Sequence, residues 1–88
     1  MRRRVYDEPV NVEVLADRPA GFTWAGRGYE VITFVKMLGL QRPRDGVDTQ
    51  LWQVRARPVG TQAPATYELC RDHGAWRLSA VWEPASRE

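Results

Sequence analysis

From Val10 the chain alternates with a period of two. Val10, Val12 and Val14 fall on one side, and Asn11, Glu13 and Leu15 on the other. This is the pattern of a strand with one face buried, and Ala16 to Gly21 follows it as a turn cluster. Two later stretches share one design: an aromatic, a two-residue step to another apolar residue, a short polar turn with glycine, and an aromatic return. In the first, Phe22 and Trp24 lead through Gly26 and Arg27 to Tyr29 and Val31. In the second, Tyr67 and Leu69 lead through Asp72, His73 and Gly74 to Trp76 and Leu78. Each predicts a β-hairpin with an aromatic inner face and a charged outer face.

Side-chain alternation selects two-residue loops, because a one-residue slip would turn every ring to the opposite face. A Gly26-Arg27 loop sets Trp24 opposite Tyr29 and Phe22 opposite Val31. A His73-Gly74 loop sets Asp72 opposite Ala75, Leu69 opposite Leu78 and Tyr67 opposite Ala80. Outside, Cys70 then faces Arg77 and Glu68 faces Ser79. Trp76, Leu78, Ala80 and Trp82 are expected to point inward, and Trp24, Tyr29, Tyr67, Leu69, Trp76 and Leu78 to form the core.

Val31 to Leu40 is rich in β-branched residues, but its apolar side changes phase near Thr33, as a bulge or bend would require. A short helix over 34–40 is the competing reading. Residues 41–50 read as a polar, mobile loop and 58–65 as a second surface loop. Leu51 to Arg57 is a strand with Trp52, Val54 and Ala56 inward and Gln53, Arg55 and Arg57 outward. With an aromatic face to bury and no convincing amphipathic helix to cover it, the sheet is expected to curl on itself. The predicted fold is all-β: a five- to six-stranded antiparallel meander forming a strongly curved sheet or small open barrel, with at most one short helix near 34–40. Residues 1–9 are expected as a flexible basic segment, 10–83 as a single β domain and 84–88 as a tail.

A chain of 88 residues is one small domain, and nine aromatic rings, four Trp, three Tyr and two Phe, can supply its core. Cys70 is the single cysteine, so no intrachain disulfide can form, which fits a reducing cytoplasm. Arg2 to Arg4 are followed by Val5, Tyr6 and Asp7 rather than by an apolar run, so no signal peptide is expected. No apolar run approaches the length of a transmembrane helix, and no membrane association is expected.

Little of this composition suggests catalysis. Cys70 and His73 could contribute two metal ligands, yet structural zinc takes four and catalytic zinc three, and no other Cys or His exists. The same two residues could form a thiolate pair, but Cys70 is expected on an outer face where nothing excludes water. The Asp7/Glu8 and Asp45/Asp48 pairs sit in irregular polar segments. Gly26-Arg27-Gly28 lies between strands and is too short for a phosphate-binding loop. No enzyme activity, metal or cofactor is expected.

Formal charge is only +2, and among 13 basic residues Lys36 is the sole lysine. Arginine binds phosphate bidentately, although GC-rich codon usage also yields an arginine bias. Arg55, Arg57 and Arg77 are expected on one outer face, with Arg71 at its edge and Arg3 and Arg4 of the N-terminal segment free to join. Glu13, Glu30 and Glu68 dilute this face, and inward rings weaken a single-strand-binding reading.

The order Tyr6-Asp7-Glu8-Pro9-Val10, Phe22-x-Trp24-x-Gly26-Arg27-x-Tyr29-x-Val31, Trp52-x-Val54-x-Ala56, Tyr67-x-Leu69 and Trp76-Arg77-Leu78 resembles a small bacterial domain family of unknown function. That family is associated with high-GC actinobacteria and the Deinococcus–Thermus group. The resemblance spans roughly residues 6–82 and implies no catalytic residue. Some members lie near genes for error-prone DNA polymerases, which implies an accessory role in DNA repair or error-prone replication.

The expected function is therefore a non-enzymatic accessory or interaction module with an unidentified protein partner. Its expected surfaces are the arginine-bearing face (Arg55, Arg57, Arg71, Arg77, Arg3 and Arg4) and the loops 41–50 and 58–65. One alternative is direct nucleic-acid binding through that face. Another is a homo-oligomer pairing through the edge strand Val10–Leu15.

Overall fold

A computed structural model of the chain describes residues 2–41 and 48–83. They form seven strands: β1 (Arg2–Pro9), β2 (Asn11–Leu15), β3 (Arg18–Trp24), β4 (Arg27–Gln41), β5 (Asp48–Pro58), β6 (Ala65–Asp72) and β7 (Ala75–Glu83). No helix occurs among the described residues, so 34–40 is strand. All seven strands belong to one sheet in the order β1-β7-β6-β5-β4-β3-β2, and every neighbouring pair is antiparallel.

The two edge strands, β1 and β2, are consecutive in the chain and separated by Val10 alone. Laid flat, the outer strands of seven would stand about 29 Å apart at ~4.8 Å per strand, far beyond the reach of one residue. The sheet must therefore curl, and it forms a half-barrel. Val10 N donates to Trp76 O at 3.2 Å beside the junction. Tyr6 of β1 meets Trp24 of β3 edge-on at 5.0 Å, and the Trp24 indole N–H donates to Glu8 Oε1 at 2.8 Å. These contacts give the basic N-terminal residues a reason to be strand. Residues 2–9, expected to be flexible, supply β1, and this accounts for seven strands where five or six were expected.

Two cross-strand rows fill the interior: Val54–Tyr67–Val81 and Trp52–Leu69–Leu78. Val54, Leu69 and Leu78 are fully buried, and Val10, Phe22 and Ala56 complete the centre. As expected, β5 turns Trp52, Val54 and Ala56 inward. Trp24, Tyr29 and Trp76, expected in the core, are only half-buried and pack around its margin.

The second hairpin turns at His73-Gly74, with Leu69 opposite Leu78 and Cys70 opposite Arg77, as alternation predicts. The first turns one residue earlier than expected, at Ala25-Gly26, which places Phe22 opposite Tyr29. Both loop residues have positive φ, 52° and 76°, as a type I′ turn requires. The reward is a parallel ring stack, Phe22 on Tyr29 at 4.9 Å and 6°.

Bulges account for the remaining departures. The β4–β5 register shifts between Val31 and Thr33, where the change of phase predicts it, and again between Phe34 and Lys36. In β7, Glu68 pairs with Ala80 but Leu69 with Leu78, leaving Ser79 as the extra residue. Beyond it the alternation inverts, so Tyr67 faces Val81 rather than Ala80. Val81 is consequently buried, and Trp82, expected inward, stands on the outer face. Of the expected loop 41–50, Gln41 and Asp48–Gln50 are strand residues, while 42–47 lie outside the described residues, as does the expected tail 84–88.

Candidate functional site

The Ser79 bulge reshapes the arginine-bearing face. Register aligns Arg55 with Thr66, Thr66 with Trp82 and Trp82 with Arg3, a single row across β5, β6, β7 and β1. The Arg3 guanidinium lies over the Trp82 ring at 5.2 Å and pairs with Glu68 Oε2 at 3.5 Å. Glu68 is nearly buried and also accepts from Ser79 Oγ at 2.9 Å and Gln53 Nε2 at 3.4 Å.

The other expected arginines do not join this row. Arg57 Nε donates to Glu30 Oε1 at 2.8 Å, and its Nη1 donates to Gln62 Oε1 at 3.1 Å. Arg77 donates to the Asp7 carboxylate and, through Nη2, to Asp7 O at 2.8 Å. Arg77 stands level with Leu51, two strands across and four residues along from Arg55. At ~3.3 Å per residue and ~4.8 Å per strand these positions are about 16 Å apart. Arg71 shares the inward phase of Leu69 and lies over Trp76 at 5.6 Å, on the opposite side of the sheet from Arg55. Arg4 pairs in register with Val81, also on the inward phase. The six arginines therefore do not form one patch, and Arg57, Arg77 and Arg3 already have carboxylate partners.

A second surface emerges where β4 outruns β3. β3 pairs with β4 only over Arg27–Glu30, whereas β4 pairs with β5 from Tyr29 to Gln41. Among the described residues, β4 beyond Val31 therefore has no strand on its other side. β5 is covered there, with Leu51 on Cys70 and Thr49 on Asp72. This free edge is apolar: Ile32, Val35, Met37 and Leu38 are each about half exposed and Phe34 is 36% exposed. A long apolar strand edge is a template for another strand, and its backbone N–H and C=O groups await partners.

At the foot of this edge, Arg18, Phe34, Lys36, Met37 and Trp52 line a hollow of about 310 Å³. The Arg18 guanidinium lies over the Phe34 ring at 5.2 Å, and Phe34 meets Trp52 at 5.8 Å. Neither Arg18 nor Lys36 pairs with a carboxylate among the described residues. A second hollow of about 270 Å³ is lined by Asn11, Val12, Glu13, Phe22, Thr23, Gly28, Tyr29 and Val59 and has Glu13 as its one charged group.

The pattern of residues along the chain does not by itself mark this edge as a binding surface. Its signal was nonetheless present: Val31 to Leu40 is apolar on both phases, which suits a strand covered on both faces, and this one is not. Arg18 gave no signal, because only the fold carries a turn-cluster residue to the foot of β4.

Cys70 is half-buried beside Arg77. Burial raises its pKa, with Asp72, Glu68 and Asp7 adding to the shift against the opposing effect of Arg77. Such a thiol is less ionised at neutral pH than a free cysteine, the reverse of an activated nucleophile. His73 Nδ1 lies 3.0 Å from Asp72 Oδ1 at the exposed turn. Among the described residues, no group of three or more His, Cys, Asp or Glu is placed to hold a metal ion.

No protein-family profile, curated protein or solved structure matches this chain.

Proposed function

We propose that the chain is a non-enzymatic interaction module that binds a protein partner by adding an extended partner strand to the free edge of β4. The observation that carries this reading is the edge of β4 beyond Val31 that, among the described residues, has no strand on the side away from β5 and is lined by Ile32, Phe34, Val35, Met37 and Leu38. Strand addition draws affinity from main-chain hydrogen bonds and selectivity from alternate side chains. The replication or repair setting implied by the family resemblance is where such a partner would be sought.

The test compares capture from the native host by the wild-type chain, Met37→Asp and Arg57→Gln. A partner held by the wild type and Arg57→Gln but lost with Met37→Asp, at unchanged thermal stability, supports the reading. Equal capture by all three rejects it.

A second reading, direct binding of single-stranded nucleic acid, is favoured by the outward Trp82 between Arg3 and Thr66, with Arg55 in the same row. An aromatic ring flanked by guanidinium groups suits base stacking with phosphate contact. Its test is oligonucleotide binding at low salt, which should weaken steeply as salt rises and fall further in Trp82→Ala.

A further inference from the structure

We infer that the partner strand is acidic and apolar in alternation, its apolar residue entering the hollow at the foot of β4 and a neighbouring carboxylate meeting Arg18 and Lys36. This rests on the strand-addition reading above and adds the chemistry of the occupant.

The hollow has an apolar floor of Phe34, Met37 and Trp52 and a rim that carries only positive charge, Arg18 and Lys36. At about 310 Å³ it has room for one large side chain, near the lower limit for ligand pockets. Three arginines elsewhere on the described surface are answered by carboxylates from within the chain, Arg57 by Glu30, Arg77 by Asp7 and Arg3 by Glu68. Among the described residues Arg18 and Lys36 have no carboxylate partner, although Asp17 adjoins Arg18 in sequence and Glu30 lies on the same strand as Lys36. A guanidinium over an aromatic face leaves its in-plane N–H donors available, the geometry that receives a carboxylate.

Charge also separates this occupant from the other candidates. A second copy paired antiparallel along the free stretch of β4 would bring another Lys36 to the same edge, and residues 32–41 contain no Asp or Glu to answer it, so the like charges would repel. A lipid surface could take up the apolar side chains but could not pair the free backbone groups of β4. An acidic strand does both: its main chain completes the ladder and its carboxylates neutralise the rim.

The experiment uses the full chain and a dye-labelled eight-residue peptide in which Glu alternates with Val and Phe, read by fluorescence anisotropy. A matched peptide carries Lys for Glu, and a third carries the acidic sequence with alternate backbone amides N-methylated. The acidic peptide is expected to bind, to weaken with added salt, and to exceed both others by about tenfold or more. The double variant Arg18→Gln/Lys36→Gln should lose about tenfold for the acidic peptide and little for the Lys peptide, with its melting temperature unchanged.

Equal binding of the acidic and Lys peptides overturns the charge assignment while leaving strand addition standing. Binding of no unmethylated peptide, or no loss on N-methylation, overturns strand addition itself. A concentration-dependent dimer in sedimentation, abolished by Met37→Asp, assigns the edge to a second copy and overturns the inference. Association with phosphatidylserine vesicles lost in the same variant, without peptide binding, also overturns it.

Discussion

Ser79 donates its hydroxyl to Glu68 Oε2 at 2.9 Å at the point where β6 and β7 lose register. The extra residue of the bulge thus supplies a partner to a nearly buried carboxylate, which also accepts from Gln53 and faces Arg3. Ser79→Ala is expected to destabilise the fold by about 1–2 kcal/mol. Glu68→Ala should cost more, about 2–3 kcal/mol, because two donors and a guanidinium lose their acceptor. Urea unfolding measures both, and a neutral Ser79→Ala would show that the hydroxyl does not hold the bulge.

Leu69 and Leu78 face each other at the centre of the interior, each with no exposed surface. Truncating either to Ala removes buried methyl groups and leaves a cavity, an expected loss of about 2–5 kcal/mol. Because the two residues are direct partners, the double variant should cost other than the sum of the singles. Denaturant midpoints for the three variants check this.

The Ala25-Gly26 turn places a residue with a Cβ at φ 52°. A left-handed conformation costs an alanine about 1–2 kcal/mol, whereas asparagine tolerates it better. Ala25→Asn, which completes an Asn-Gly turn, should raise stability by roughly 0.5–1 kcal/mol, and Gly26→Ala, at φ 76°, should lower it by about 1–2 kcal/mol. Thermal unfolding would show opposite shifts in melting temperature.

The raised pKa of Cys70 means that the folded chain keeps the thiol proton to higher pH than the unfolded chain. As pH climbs through the unfolded thiol's value the unfolded state releases its proton first, so stability falls there and levels off above the folded value. Below the unfolded value the thiol contributes no pH dependence. Cys70→Ser should remove this alkaline decline, measured by urea unfolding across the alkaline range. Alkylation of Cys70 in the folded chain should likewise be slower at neutral pH than that of a free thiol.

The meander was largely legible in the sequence. Alternation located the strand containing Trp52, Val54 and Ala56, the His73-Gly74 hairpin and the bulge near Thr33. The first hairpin was legible only to within one residue, since Gly26-Arg27 and Ala25-Gly26 both keep alternation intact. The choice rested on the φ angles of the turn and the Phe22–Tyr29 stack. β1 escaped notice because Arg2 to Pro9 lacks apolar periodicity; its pairing comes from the edge of β7 and its packing from Trp24. The arginine face was composed correctly on β5 but not across strands, because Arg71 and Trp82 each lie on the side opposite to the one expected.

By itself, then, the sequence determined what a period of two can encode: which residues alternate, where the chain turns, and that an all-β sheet must curl to bury its rings. The tertiary structure alone decided what depends on two strands at once. A bulge such as Ser79 exists only relative to the strand beside it, yet it exchanges the faces of Val81 and Trp82. Among the described residues, an edge such as that of β4 is free only because β3 begins at Arg18 and pairs with β4 from Gly21 onward, a mismatch in strand length that no local pattern records.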